Sequence, residues 1–313
     1  MDSTARPIEI FAPFGEAVDL TKKILFQPFD LGKWFVIGFA AWLATFFSGG
    51  GFNYRHRFWN GDWDWQAYHE GPRWTFHNTE PWVFPVVIVG GLFILALVAL
   101  MLWLNARGRF MFVDCIVRNR AAIAEPWREY HAEGNSFFVF QLVVAFCSMI
   151  LVGLFALIWF ISSHAGGFFI AGPLLILLFV ACVLLAIVFA IIVHFMVPVM
   201  YRQRCGALEA FRAVWLLVVE NPGVFILFTL FTIVLYIAAA MIGCVLACVT
   251  CCIAALPYIG TVILLPIVMA LYAFSLCFLR QFGDPYDVWA VINPTEPPPP
   301  PPVPPVQETL PPS

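Results

Sequence analysis

The chain has little charge. Asp, Glu, Lys and Arg make up 11% of its 313 residues, against about 25% in a soluble domain. No basic cluster is present, so nothing points to nucleic acid as a partner. No apolar run precedes Lys33, so the sequence predicts no cleavable signal peptide, and the first apolar run would act as an uncleaved signal-anchor. Walker-type and dinucleotide-type glycine patterns are missing, and Gly49-Gly50-Gly51 reads as the end of an apolar run. The pair Ser162-Ser163 beside His164 has no nearby carboxylate to orient the histidine and matches no nucleophile elbow. These absences point away from an enzyme and imply no cofactor and no metal.

What is abundant is apolar surface. Hydrophobic residues reach 62%, with 33 Phe and 12 Trp, which places the chain in the membrane class. A helix needs about 20 apolar residues to cross roughly 30 Å of hydrocarbon. Six runs qualify, over residues 34–50, 82–104, 137–162, 168–196, 224–248 and 253–279, and none contains Asp, Glu, Lys or Arg. That absence argues against an ion-coupled pump, because coupling needs a buried group that titrates or binds an ion. Pro173 and Pro198 read as the limits of the fourth span.

The few cations are unevenly placed. Lys22, Lys23 and Lys33 precede span one, Arg107 to Arg128 lie between spans two and three, Arg202 to Arg212 lie between spans four and five, and Arg280 follows span six. The opposite side holds only Arg55, Arg57 and Arg73. The positive-inside rule then puts both termini in the cytoplasm of a multi-pass cell-membrane protein. Residues 1–32 form a cytoplasmic N-terminal segment, 33–282 the membrane domain with an extracytoplasmic loop over 51–81, and 283–313 a Pro-rich tail.

One pattern recurs: an amphipathic stretch, an Asp or Asn, then an apolar run. Its copies are Gly15–Ala40, Gly206–Thr232 and, more weakly, Arg120–Ala145, which align Asp30, Asn221 and Asn135. Each copy leads into a helical hairpin from the same side, so the sequence predicts an all-α bundle of three parallel hairpin repeats. The three polar residues are expected to cap the helices that follow them. The amphipathic stretches, with the stripe Leu208, Phe211, Trp215 and Val218 in the second copy, are expected to lie in the interface plane; packing on the bundle as plain extensions is the alternative.

The stretch Arg109–Phe137, taken with Gln27–Ala40, resembles a family of prokaryotic multi-pass membrane proteins catalogued as a domain of unknown function. The resemblance covers most of residues 8–282. The repeated helix-plus-hairpin pattern is also similar to the membrane domain found beside glycerophosphodiester phosphodiesterases. The first resemblance implies a membrane fold. Neither implies a catalytic residue.

Two further clusters have a functional and an ordinary reading. In the 51–81 loop, Trp59, Trp63, Trp65 and Trp74 alternate with polar groups that include His69. They could form a stacking surface for a sugar or a metal site, but aromatic residues also gather at headgroup level as a belt. Cys244, Cys248, Cys251 and Cys252 fit close helix packing, with a disulfide or a metal as alternatives. The proline run Pro297–Pro302 should adopt polyproline II, either as a stiff end or as a docking peptide for a cytoplasmic protein. The expected function is a non-enzymatic scaffold or accessory protein that organises lipids or partner proteins. The alternative is a transporter or channel for a neutral or hydrophobic solute.

Overall fold

The computed structural model describes residues 9–45, 83–164, 168–250 and 257–292. The 51–81 loop, Cys251, Cys252 and the Pro-rich stretch from 293 lie outside these residues. The described chain is helical: α1 (Phe11–Phe26), α2 (Leu31–Thr45), α3 (Val83–Val117), α4 (Ala124–Glu129), α5 (His131–His164), α6 (Phe168–Gln203), α7 (Ala207–Glu220), α8 (Pro222–Val249), α9 (Pro257–Ile263) and α10 (Leu265–Arg280). Two short 3₁₀ turns, Asp284–Tyr286 and Val288–Val291, close it.

Four helices, α3, α5, α6 and α8, are long and apolar enough to cross a membrane. The first and sixth expected spans appear as the shorter apolar helices α2 and α10. At 16 residues, α10 reaches about 24 Å, which falls short of the hydrocarbon core on its own. It is preceded by α9, and the two are separated at Pro266, whose ring lacks the N–H that would continue the ladder.

Several helices run past the limits that hydropathy suggests. α3 has 35 residues, about 52 Å, so it continues beyond Leu104 through Arg107, Arg109 and Asp114. No Gly or Pro follows Gly108 until the turn at Asn119, whose φ is +50°. α6 likewise contains both Pro173 and Pro198 instead of stopping at them. Tight packing of the buried stretch Phe195 to Tyr201, Pro198 included, overrides the local cost of Pro198.

The molecule therefore has two unlike layers. Toward one end, the first two-thirds of α3, most of α5, the first half of α6 and much of α8 present apolar side chains outward, among them Leu92, Phe93, Leu151, Leu185 and Val245. None of the most apolar stretch of α3 or α5 is buried within the chain. Toward the other end a dense core joins α1, α2 and α10 to the ends of α3 and α6, with Ile24, Ile37, Phe112, Phe195, Phe274 and Phe278 at its centre.

α1 buries Pro13, Ala17, Thr21, Ile24 and Leu25 along one stripe. It runs antiparallel to α10: Glu9 meets Gln281, Glu16 meets Arg280 and Phe14 meets Phe274. α7 buries Ala207, Ala210, Val214 and Leu217. Of the expected stripe, Leu208 and Trp215 are exposed while Phe211 and Val218 pack partly buried against the core, and the small alanines allow the close approach. Ser136 Oγ on α5 accepts the Ala207 amide at 3.0 Å and holds the start of α7 in place.

Close approach also fixes α2 on α3. A Cβ at Gly108 would stand 2.5 Å from Leu43 Cβ and 2.9 Å from the Leu43 carbonyl carbon. In the same contact Asn105 Nδ2 donates to the carbonyls of Leu43 and Ala44 at 2.6 and 3.0 Å.

Candidate functional site

The polar cap residues fare differently. Asp30 precedes α2, and its Oδ1 accepts the Gly32 amide at 2.8 Å. Asn221 precedes α8, but its Nδ2 turns back to the Leu217 carbonyl at 3.3 Å and makes no cap bond to α8. Asn135 caps nothing. It sits one turn inside α5, because the helix starts at His131. Its Oδ1 instead accepts from Trp103 Nε1 at 3.1 Å and Arg107 Nη2 at 3.0 Å, stapling α3 to α5. The three residues do not converge on one pocket.

Trp59, Trp63, Trp65, His69 and Trp74 lie outside the described residues. Cys244 and Cys248 carry free, exposed thiols on α8.

The six apolar runs hold no charge, but ten residues past the second run α3 carries a buried one, Asp114. Its side chain is fully buried near the end of α3. One carboxylate oxygen lies 3.2 Å from Arg118 Nε and accepts the Tyr201 hydroxyl at 3.0 Å. The other lies 3.0 Å from Arg120 Nε. Arg118 also bonds Glu129 at 2.9 Å, and Arg120 reaches Glu125. Just past α6, Arg204 pairs with Glu129 and lies 3.5 Å from Glu133. The Arg204 guanidinium caps the Tyr130 ring at 3.8 Å, and Tyr130 stacks on Tyr201 at 4.7 Å. The network thereby locks α3, α4, α5 and α6 together at one end. Burial would raise the Glu129 pKa, but the Arg118 and Arg204 guanidiniums outweigh it and hold that pKa below its usual value. For Arg120, burial lowers the pKa while hydrogen bonds with Asp114 and Glu125 more than restore it.

Hydropathy missed Asp114 because a window ends where charge begins, whereas a helix does not. A local signal was present: Asp114 and Arg118 stand four apart, the spacing of a helical ion pair.

Above this network lies a cavity of about 400 Å³ between α3, α5 and α6, lined by Leu102, Arg109, Phe140, Gln141, Val144, Ala145, Phe189, Ala190, Val193 and His194. Three polar side chains from three helices meet there. The Arg109 guanidinium lies 5.5 Å from the Phe137 ring centre. His194 Nε2 is 2.9 Å from Ser275 Oγ of α10. Gln141 Oε1 is buried and has no hydrogen-bond partner among the described residues. The level is set by Arg107, two residues earlier on α3, which sits between the Trp103 and Trp127 rings at 4.6 and 4.8 Å. Such a cation–aromatic cluster at the end of an apolar helix suits the headgroup boundary. Arg109, Gln141 and His194 are the polar groups of this lining, and the remaining wall is apolar.

Residues 9–287 match "Family of unknown function (DUF7544)", and the chain belongs to that family. No curated protein matches it, and no solved structure does. The likeness to the domain beside glycerophosphodiester phosphodiesterases is not shown.

Proposed function

We propose that this integral membrane protein is a non-enzymatic scaffold that organises lipids at the headgroup boundary. The observation that carries the reading is the position of the α3–α5–α6 cavity, between bare apolar shafts and a charged clamp. The shafts give acyl chains an extended surface, and the cavity offers polar groups at the depth of a headgroup. The carboxylates of the clamp are taken up by Arg118, Arg120 and Arg204, which supports a structural role for them.

The same reading puts six crossings in the cell membrane as three hairpins, with α2 and the α9–α10 pair completing the first and last. It puts the arginine-rich end and both termini in the cytoplasm. A thiol introduced as Arg128→Cys should then react with a membrane-impermeant maleimide only in inverted vesicles.

Lipid retention tests the function. The full chain, purified in mild detergent and washed stepwise, should keep a defined set of phospholipids that resists removal. Complete stripping at the first wash would sink the reading. A second reading, a passage for a hydrophobic or neutral solute, draws on the cavity volume. It requires solute flux in reconstituted vesicles.

A further inference from the structure

We propose that the groove between α1, α8 and α10 holds one acyl chain of an anionic phospholipid from the surrounding leaflet, with the Lys22 ammonium at its rim facing the headgroup phosphate. The inference deepens the lipid-organising reading at a second place on the molecule and rests on that reading. Three observations lead to it.

The first is shape. Phe14, Val18, Lys22 and Phe26 stand four residues apart and form one row along α1. The row runs for about 18 Å. Leu235, Ala238 and Ile242 of α8 face it across a hollow of about 320 Å³, and Ile267, Ala270 and Leu271 of α10 line the third side. At one end Phe14 meets Phe231 of α8 at 5.8 Å and Phe274 of α10 at 6.0 Å, so the three helices touch there. Farther along, the small side chains of Ala238 and Ala270 leave space between them. The result is a long slot, the shape of a hydrocarbon chain.

The second is the lining. Apart from Thr21 and Lys22, every residue that lines the groove is apolar. The Thr21 hydroxyl donates to the Ala17 carbonyl of its own helix at 2.8 Å. Water in this hollow would find few partners, and an empty hollow would deprive its walls of dispersion contacts. Ile242 belongs both to the groove and to the exposed outward face of α8, beside Ile237 and Met241. α8 is long and apolar enough to cross a membrane. The molecules alongside that face are lipids, so a lipid tail is the occupant at hand.

The third is charge. Lys22 carries the one formal charge in the lining among the described residues. Its ammonium lies 3.4 Å from Asp19, but the two side chains are 63% and 80% exposed, so water screens the pair. Asp19 and Glu16 themselves line a separate hollow with Arg280 and Gln281. A cation at the rim of an apolar slot matches a lipid with a net negative headgroup. On the orientation proposed above, Lys22 faces the cytoplasmic leaflet, the one rich in anionic lipids.

The test uses the delipidated full chain in detergent and two probes with the same tails, phosphatidylglycerol and phosphatidylcholine, each with a photoactivatable diazirine on one acyl chain. After irradiation, peptide mapping should find the label on Ile267, Ala270 or Leu271, which are half-buried and lie inside the groove. At equal subsaturating concentration, phosphatidylglycerol should label them about fivefold more strongly than phosphatidylcholine. Lys22→Gln should erase that preference, and Lys22→Arg should keep it. Ala238→Phe, at an exposed site where an added ring fills the slot, should remove the α10 label for both lipids. Should that variant fail to fold, Lys22→Gln, at an exposed position, decides. Val234→Phe, on the exposed face of α8 away from the groove, is the control and should change nothing. Label confined to the bare faces of α3, α5 and α8, or α10 label that survives Ala238→Phe, overturns the inference. So does equal labelling by the two lipids in the wild type. A dimer whose interface, mapped by crosslinking, covers Lys22 and Ile242 and excludes the label would give the groove to a second copy and also overturns it. Where lipid is retained after mild-detergent washing but α10 is unlabelled, this inference falls and the lipid-organising reading stands; where no lipid is retained, both fall.

Discussion

The Trp34 indole Nε1 donates to the Val262 carbonyl at 2.8 Å. In an unbroken helix that carbonyl would accept from residue 266, but residue 266 is proline and has no N–H to give. A side chain from α2 thus replaces the bond that Pro266 removes where α9 meets α10. Gly38 stands in the same contact, where an added Cβ would come within 2.8 Å of Val262 Cγ2.

Trp34→Phe should therefore lower stability by about 1–3 kcal/mol, because it strands a partly buried carbonyl. The loss should be smaller when Pro266→Ala supplies the missing N–H. Unfolding of the four variants of the cycle in mixed micelles measures this, and additive effects would show that the indole does not serve that carbonyl.

Gly108→Ala should destabilise the α2–α3 contact by about 1–3 kcal/mol, an overpacking cost. The new methyl would meet backbone atoms of Leu43 and Ala44 at 2.9 and 3.0 Å, which cannot swing aside as a flexible side chain could. The same thermal unfolding assay reads it. Gly153→Ala, which has open space around it, is the control and should be neutral or slightly stabilising.

Asp114→Ala should cost about 3–5 kcal/mol, since it leaves Arg118 and Arg120 without their buried counter-charge. Asp114→Asn should cost less, because the amide oxygen can still accept the Tyr201 hydroxyl. A drop in unfolding temperature that is equal for the two variants would mean the charge itself is the whole contribution.

Acid should weaken the clamp in a defined direction. The folded-state pKa of Glu129 lies below its ordinary value of 4.5, so the unfolded chain binds more protons in that window. The stability it supplies is complete above about pH 4.5 and is lost as pH falls through the folded value. Unfolding measured from about pH 6 to pH 3 should show a decline that is shallower in Glu129→Gln.

Much of the architecture was legible in the linear chain. Runs such as Val224–Cys248 match α8 within two residues, and Asp30 stands just before α2. The misjudged positions were those where a helix crosses from one solvent to another. α3 passes from lipid-facing Leu92 to buried Asp114 without a break, so its apolar run marks the bilayer and not the helix. Asn135 has a capping residue's chemistry, but α5 starts one turn earlier.

The sequence by itself determined the solvent of this protein: long stretches without charge belong in hydrocarbon, a property each segment carries alone. Only the tertiary structure decided what the remaining charges do. Whether Asp114 is affordable, and whether Arg109, Gln141 and His194 share a cavity, depends on helices far apart in the chain arriving at the same depth. Ion pairing and cavity formation belong to pairs of segments, and no single segment encodes its partner's position.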